Sequence, residues 1–360
     1  MTAMTQTDAR ADARNAFLKS AGWERAAARP LAGDASTRSY ERLTMSGKPA
    51  VLMIAPPGAE APACPPDADD AARRALGYNA MARLAGPNLH AFTSLSKALR
   101  GAGLSAPEVY AADARAGFAL LEDLGDDLFA RVVGSVEETA LYRAAMDALA
   151  ALHESGVARP ANDAYAMLDY DALALEAEAM LLIDWYWPLK KGAPAPENLK
   201  AEYVALWRDA LATLSAPQTM VLRDYHAENL LWLPARKGVA RVGVIDFQDG
   251  LWGHAAYDAV SLLEDARRDV SPALAEAMVV HYLQRSGADS ASYLRDYAIL
   301  AAQRNAKILG IFARLAKRDN KPRYLDLLPR VEDHFCRDLK RAGLAPLRGF
   351  FAKHLPSLIA

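Results

Sequence analysis

Three side chains in one short stretch could do chemistry together. In LRDYHAENLLWLPARKGVARVGVIDFQD, which runs from Leu222 to Asp249, Asp224 is followed five residues later by Asn229, and Asp246 closes a second apolar run. Residues 230–233 and 239–245 read as two strands, with 234–238 as the turn between them. A hairpin returns the end of its second strand to the start of its first. Asn229 and Asp246 are therefore expected side by side. An amide oxygen and a carboxylate suit Mg²⁺, a hard cation that takes waters and phosphate oxygens as its other ligands. Asp224 lies on the loop leading into the hairpin, where a carboxylate can receive the proton of a hydroxyl nucleophile. A D-x-x-x-x-N segment followed by an Asp-Phe segment is the arrangement used in phosphoryl transfer. A lone D-x-x-x-x-N carries no weight, but the triplet split by a clean hairpin does. The plainer alternative, two turn caps and a strand end, leaves the three-way spacing to chance.

The surrounding elements divide the chain. A short helix in ARNAFLKSAGW precedes two strands, RSYERLTM and AVLMIA, joined at Ser46–Pro49. A loop rich in Pro and Ala follows, then a helix in HAFTSLSKALRGAGL and a strand in FALLEDL. Beyond Gly125 the pattern turns helical. Ser135 and Glu138 read as a capping box, and Gly156 closes that helix. DALALEAEAMLLIDWYW reads as one further helix, and the chain after 255 is nearly all helix. These elements predict an α+β fold of two lobes: a small β-rich lobe over 13–124 and a larger helical lobe over 125–360 with the hairpin embedded in it.

Bulk properties narrow the classes. A chain of 360 residues exceeds what one core usually serves. Net charge is −2 with no basic block, so a nucleic-acid partner is not indicated. Cys64 and Cys336 are far apart, which predicts free thiols in a reducing cytosol. The N-terminus lacks the apolar core of a secretory signal, and no apolar run is long enough for a membrane span. The expectation is a cytoplasmic monomer that binds small molecules. His153, His254 and His281 are not spaced as zinc ligands.

The stretch resembles the aminoglycoside phosphotransferase and choline kinase superfamily, whose fold is protein-kinase-like and whose loop reads H-x-D-x-H-x-x-N. Asp224, His226 and Asn229 fit, while Leu222 stands where the first His belongs. LAGDAS, IDFQDGLWG and QRNAKILGIFARLAKRDNKPRYLDLLP are similar to the anomeric amino-sugar kinases, which phosphorylate N-acetylmuramate and N-acetylglucosamine in cell-wall recycling. The resemblance covers most of 13–350 and is weak over 58–90. It implies ATP and Mg²⁺ as cofactors, Asp224 as the base, Asn229 and Asp246 as metal ligands, and His226 and Asp258 as supports of the catalytic loop. It also implies that the backbone of Glu122 to Leu124 meets the adenine. Gly33 and Ser36, in GDAST, fall on the phosphate loop. The strand Lys and helix Glu that grip ATP in kinases are both missing. Met53 stands near the Lys position, and Arg38, with Arg42 behind it, is the candidate replacement cation.

On the acceptor side, Arg304, Lys307, Arg314 and Arg318 fall within an arc of roughly 80° on one predicted helix. Ile308, Phe312 and Leu315 lie on the neighbouring, core-facing arc. Arg304 and Lys307, with Glu178 from EAMLLIDWYW, are expected to face the acceptor; Asp184, Trp185 and Tyr186 could meet a sugar, although core packing is the favoured role of Trp185 and Trp187. The basic arc could equally be a solvated stripe. Three readings remain open: a sugar kinase, a phosphotransferase acting on an aminoglycoside, choline or related amine, and a nucleotide-binding pseudokinase. A basic acceptor site suits an acidic or neutral sugar better than a polycation.

Overall fold

A computed structural model describes residues 6–359 except 32–36, 57, 59–62, 163 and 342, with side chains from residue 9 onward. Gly33 and Ser36 lie outside the described residues. Strands β1 (Ala27–Pro30), β2 (Ser39–Met45), β3 (Lys48–Ile54), β4 (Val109–Asp113) and β5 (Phe118–Leu121) form one antiparallel sheet in the order β1-β2-β3-β5-β4. Ser46 and Gly47 both take positive φ, 50° and 78°, and Met45 pairs with Lys48. Two such residues make the tight turn whose twist matches the flanking strands. Successive side chains alternate across the sheet. Leu43, Ala50, Leu52, Phe118 and Leu120 pack under the helix Gln6–Ser20 with Phe17 and Leu18. Met53, Ala119 and Leu121 point the other way and join the main core.

The spine of the helical part is Ser290–Lys317, 28 residues long, capped by Asp289, whose carboxylate accepts from the Ser292 N–H at 2.9 Å. Ile308 and Phe312 are buried and Leu315 packs partly buried against the same core, as the spacing predicts. Gly310 lies directly on the Leu181 backbone, where an added Cβ would sit 2.1 Å from the carbonyl carbon.

Several expectations are corrected. Ser135 does not form a capping box, because the helix Glu138–Glu154 takes Glu137 as its N-cap and the Ser135 hydroxyl, two residues before that cap, donates to the Val132 carbonyl at 2.7 Å. The helix from Ala172 ends at Leu181, passes through a π-helical turn at Leu182–Tyr186 and resumes at Trp187–Lys191. The return strand of the hairpin is only Val242–Val244, since Gly238–Arg241 forms a 3₁₀ turn. The helix Glu197–Leu211, strands β1 and β4, and the pair Thr219–Val221 with Leu251–Gly253 are additional elements.

Candidate active site

Two loops lie side by side because two short strand pairs clamp them. Residues 222–229 run between Thr219–Val221 and Leu230–Trp232, and residues 245–250 run between Val242–Val244 and Leu251–Gly253. The first strand of each loop pairs with a strand flanking the other. The Ile245 N–H also donates to the Asn229 carbonyl at 3.0 Å. This brings Asn229 Nδ2 to 3.5 Å from Asp246 Oδ2 and to 3.0 Å from the Asp224 carbonyl. Arg223 and Asp246 hold positive φ, 70° and 59°, a strained backbone for non-glycine residues that such sites tend to store.

Asp258 braces the first loop from beneath. It is buried, and its carboxylate accepts the Leu222 and Arg223 N–H groups at 2.7 and 2.9 Å. Burial pushes its carboxyl up to about 7, against the pull of those two amides. The brace holds backbone, so the side chain at 222 is free to be apolar, and Leu222 sits in the core. His226 is buried, and its Nε2 faces Asn229 Nδ2 and Arg267 Nη1, both at 3.4 Å. Burial lowers its pKa to about 4, so it is neutral at pH 7 and acts as a fixed strut.

The carboxylates of Asp224 and Asp246 are pushed in opposite directions. Burial alone would raise Asp224, but the charges of Lys307, Arg304 and Arg223 hold it below the usual carboxylate range. Asp246 is pushed up to about 6 by burial and then by the charges of Asp224 and Asp249, with Gln248 and Arg38 pulling the other way. Gln248 Nε2 donates to Asp246 Oδ1 at 2.7 Å. A carboxylate crowded by negative charge beside an amide whose N–H₂ is already engaged matches the donor set of a magnesium ion. Among the described residues no group of three or more His, Cys, Asp or Glu gathers as a protein-only metal cage. A cation here would need phosphate oxygens and water to complete its shell.

Arg38 donates to the Gly86 carbonyl at 2.8 Å and stands near enough to Asp246 to lower its pKa. Arg42 does not stand behind it, because it is engaged by Asp123 and Asp126, each at 2.6 Å, at the join between the sheet and the helical part. Met53 is buried, and in place of a helix acid Phe92 stacks on Phe247 at 4.9 Å. At the join, the Glu122 N–H donates to the Glu108 carbonyl at 2.8 Å, while its side chain pairs with Arg236 and Arg100. The Leu124 N–H has no hydrogen-bond partner among the described residues.

Glu178 does not face an acceptor. It has no exposed surface and lies beneath Lys307, at 2.9 Å, and Arg223, with the Tyr170 hydroxyl donating to it as well. Tyr186 is buried against Glu332, and Asp184 pairs with Lys200, so these two are engaged elsewhere. Arg304 and Lys307 do gather around Asp224. The basic arc is thus split: its first two members are built into the site, Arg314 lies half-buried over the Tyr78 ring at 5.2 Å, and Arg318 is exposed. Sequence reasoning missed Arg223, Gln248 and Asp249. The signal for Arg223 was its place next to Asp224. Asp249, whose Oδ1 accepts the Ala85 N–H at 2.6 Å, had none.

The sequence pattern described as the phosphotransferase enzyme family matches residues 27–302. The chain belongs to that family. It is 43% identical over 359 residues to an N-acetylmuramate/N-acetylglucosamine kinase of Caulobacter vibrioides, covering 98% of this chain and 99% of that one. It is 31% identical to the enzyme of the same name from Pseudomonas aeruginosa, covering 84% of this chain and 80% of that one. The fold is similar to that of a choline kinase from Streptococcus pneumoniae, with TM-score 0.59, 13% identity, and 90% and 98% of the two chains covered. It is similar also to an aminoglycoside 2′-phosphotransferase in complex with GDP, with TM-score 0.57, 15% identity, and the same coverage. The α+β chain thus has the two-lobed, protein-kinase-like fold of this phosphotransferase family. Among the described residues, no helix is long and apolar enough to cross a membrane.

Proposed function

We propose that the chain is an ATP- and Mg²⁺-dependent kinase for the anomeric hydroxyl of N-acetylmuramate and N-acetylglucosamine, the sugars named for its relatives. The observation that carries this reading is the gathering of Asp224, Asn229 and Asp246 on two mutually clamped loops, in a family member that is 43% identical to such a kinase. The division of labour follows the fold. Residues 13–124 hold the nucleotide, with the Leu124 N–H open to the adenine and Arg38 on the phosphate side. Residues 125–360 supply the catalytic loop, the metal ligands and the acceptor site.

Asp246 and the Asn229 amide oxygen would hold Mg²⁺, which when bound neutralises phosphate charge. Asp224 does the proton work. It is held ionised by Lys307, Arg304 and Arg223 even though burial opposes this, so it accepts the proton of the sugar hydroxyl as that oxygen bonds to the γ-phosphorus. The bond from the γ-phosphorus to the ADP oxygen breaks in the same transfer. Arg304 and Lys307 place positive charge around that hydroxyl.

The experiment is a turnover panel with Mg²⁺-ATP: N-acetylmuramate, N-acetylglucosamine, the 1-O-methyl glycoside of the latter, kanamycin and choline. Turnover of the first two alone is expected. Phosphorylation of the methyl glycoside would exclude anomeric chemistry, and efficient use of kanamycin or choline would overturn the sugar reading.

A further inference from the structure

Arg304 is the anomaly of the site. It lies on the helix Ser290–Lys317, its residue surface is 4% exposed, and its Nη1 is buried with no partner. Among the described residues its side chain forms no hydrogen bond and no ion pair, unlike the cations around it. Lys307 and Arg223 share Glu178, Arg267 pairs with Glu228 at 3.0 Å, and Arg38 donates to the Gly86 carbonyl. Taking a guanidinium out of water without a partner is costly, and structures keep such a group where something completes it. Its field falls on Asp224, His226 and Asp258, whereas the arginine that acts on Asp246 is Arg38. Arg304 therefore stands on the side of the base, where the acceptor arrives, rather than on the side of the metal pair and the nucleotide phosphates.

We propose that Arg304 forms a carboxylate subsite beside Asp224, which receives the acid group of an acidic amino sugar such as N-acetylmuramate and distinguishes it from a neutral one. This rests on the amino-sugar kinase reading above. A guanidinium fork matches a carboxylate through two parallel, charge-assisted hydrogen bonds. Lys307 cannot take this role equally, because its charge is already committed to Glu178 at 2.9 Å.

The readout is the ratio of kcat/KM for N-acetylmuramate to that for N-acetylglucosamine. Arg304→Gln also removes a charge that acts on Asp224, which slows both sugars alike and cancels in the ratio. The ratio should fall about 10- to 100-fold, the worth of a charge-assisted pair, with KM for ATP changed less than about threefold. Arg304→Lys, which keeps the charge but loses the fork, should fall in between. The methyl ester of N-acetylmuramate offered to the unmodified chain should lose a similar factor, a measurement that does not depend on any variant folding. An ester used as well as the acid, or a folded Arg304→Gln enzyme with an unchanged ratio, overturns the subsite. A rise in KM for ATP matching the loss in turnover would assign Arg304 to the donor phosphates instead. If the unmodified chain turns over neither sugar, the functional reading itself has failed.

Discussion

Replacing Glu178 with glutamine would test the buried network that ties the catalytic loop to two helices. Glu178 accepts from the Tyr170 hydroxyl, Arg223, Lys307 at 2.9 Å and Gln303 Nε2 at 3.3 Å, and none of its surface is exposed. Burial pushes its carboxyl up, but Lys307, Arg223 and the Tyr170 hydroxyl overcome this and bring it down from 4.5 to about 2. At 1.36 kcal/mol per pH unit that drop corresponds to about 3 kcal/mol of native-state stabilisation. A second route gives a similar size: removing one member of a buried ion pair costs about 3–5 kcal/mol. The lower end applies because Arg223 keeps its bonds to the Ala82 and Asp249 carbonyls at 3.3 Å. The sign follows from the direction of the shift. A carboxyl whose folded value lies below its unfolded one contributes fully above 4.5 and loses that contribution as pH falls toward 2. Urea unfolding of both chains at pH 7 should therefore show the variant weaker by about 3 kcal/mol, and at pH 3 the gap should shrink to less than half. A gap under about 1 kcal/mol at pH 7, or one that does not close on acidification, would refute the reasoning.

Asp224→Asn should bind Mg²⁺-ATP normally and lose about 10²–10⁴ in kcat, the range for one proton-transfer group; near-normal kcat in a folded variant would remove Asp224 from that role. Asp246→Ala should weaken nucleotide binding in Mg²⁺ but not in EDTA, as read by titration calorimetry, and an equal loss in both would make the residue structural. Gly310→Ala should destabilise the fold by about 1–3 kcal/mol or more in a denaturant titration, since the new methyl would meet Leu181 backbone at 2.1 Å; a neutral change would mean the two helices separate easily.

What could be read in the sequence is what is local, or what a hairpin makes local. Asn229 and Asp246 are brought together by the pairing of Leu230–Trp232 with Val242–Val244, and the apolar runs announce that pairing. The turn expected at Ser46–Pro49 was legible for the same reason, although Lys48 and Pro49 already belong to the strand, and so was the core face of Ser290–Lys317. Strands of three residues, such as Thr219–Val221 and Leu251–Gly253, are too short to show a period of two. The Ser135–Glu138 spacing misled because the helix begins at Glu138, with Glu137 at the N-cap, and leaves Ser135 in the turn before it. Glu178 was placed on the acceptor because its partners lie 45 and 129 residues away, at Arg223 and Lys307. A signal was nonetheless present: ALALEAEAML is apolar on all sides except for Glu176 and Glu178, and an acid inside so apolar a helix is buried only with a cation.

The missing Lys-Glu pair follows the same logic of compensation. Met53 fills the strand position with hydrocarbon, and Phe92 on the facing helix stacks on Phe247, next to Asp246. That helix, Leu89–Gly101, is also tied to the helical part just past its end, where the Val244 N–H donates to the Ser105 carbonyl at 3.0 Å and the Ser105 hydroxyl to the Ala240 carbonyl at 2.6 Å. The helix is thus positioned by packing, by backbone bonds and by the pairs of Arg100 with Glu108 and Glu122 at its end, and a lysine–glutamate pair is not needed to hold it. Removing only the acid would have left a buried lysine unpaired, and removing only the lysine would have set an uncompensated carboxylate beside the nucleotide phosphates. With both gone, the proposed function leaves the positive charge opposing those phosphates to Arg38 and to a cation at Asn229 and Asp246. Nucleotide binding in this chain should therefore lean on the metal more heavily than in a kinase that keeps its lysine, and the EDTA arm of the Asp246→Ala titration reads that dependence directly.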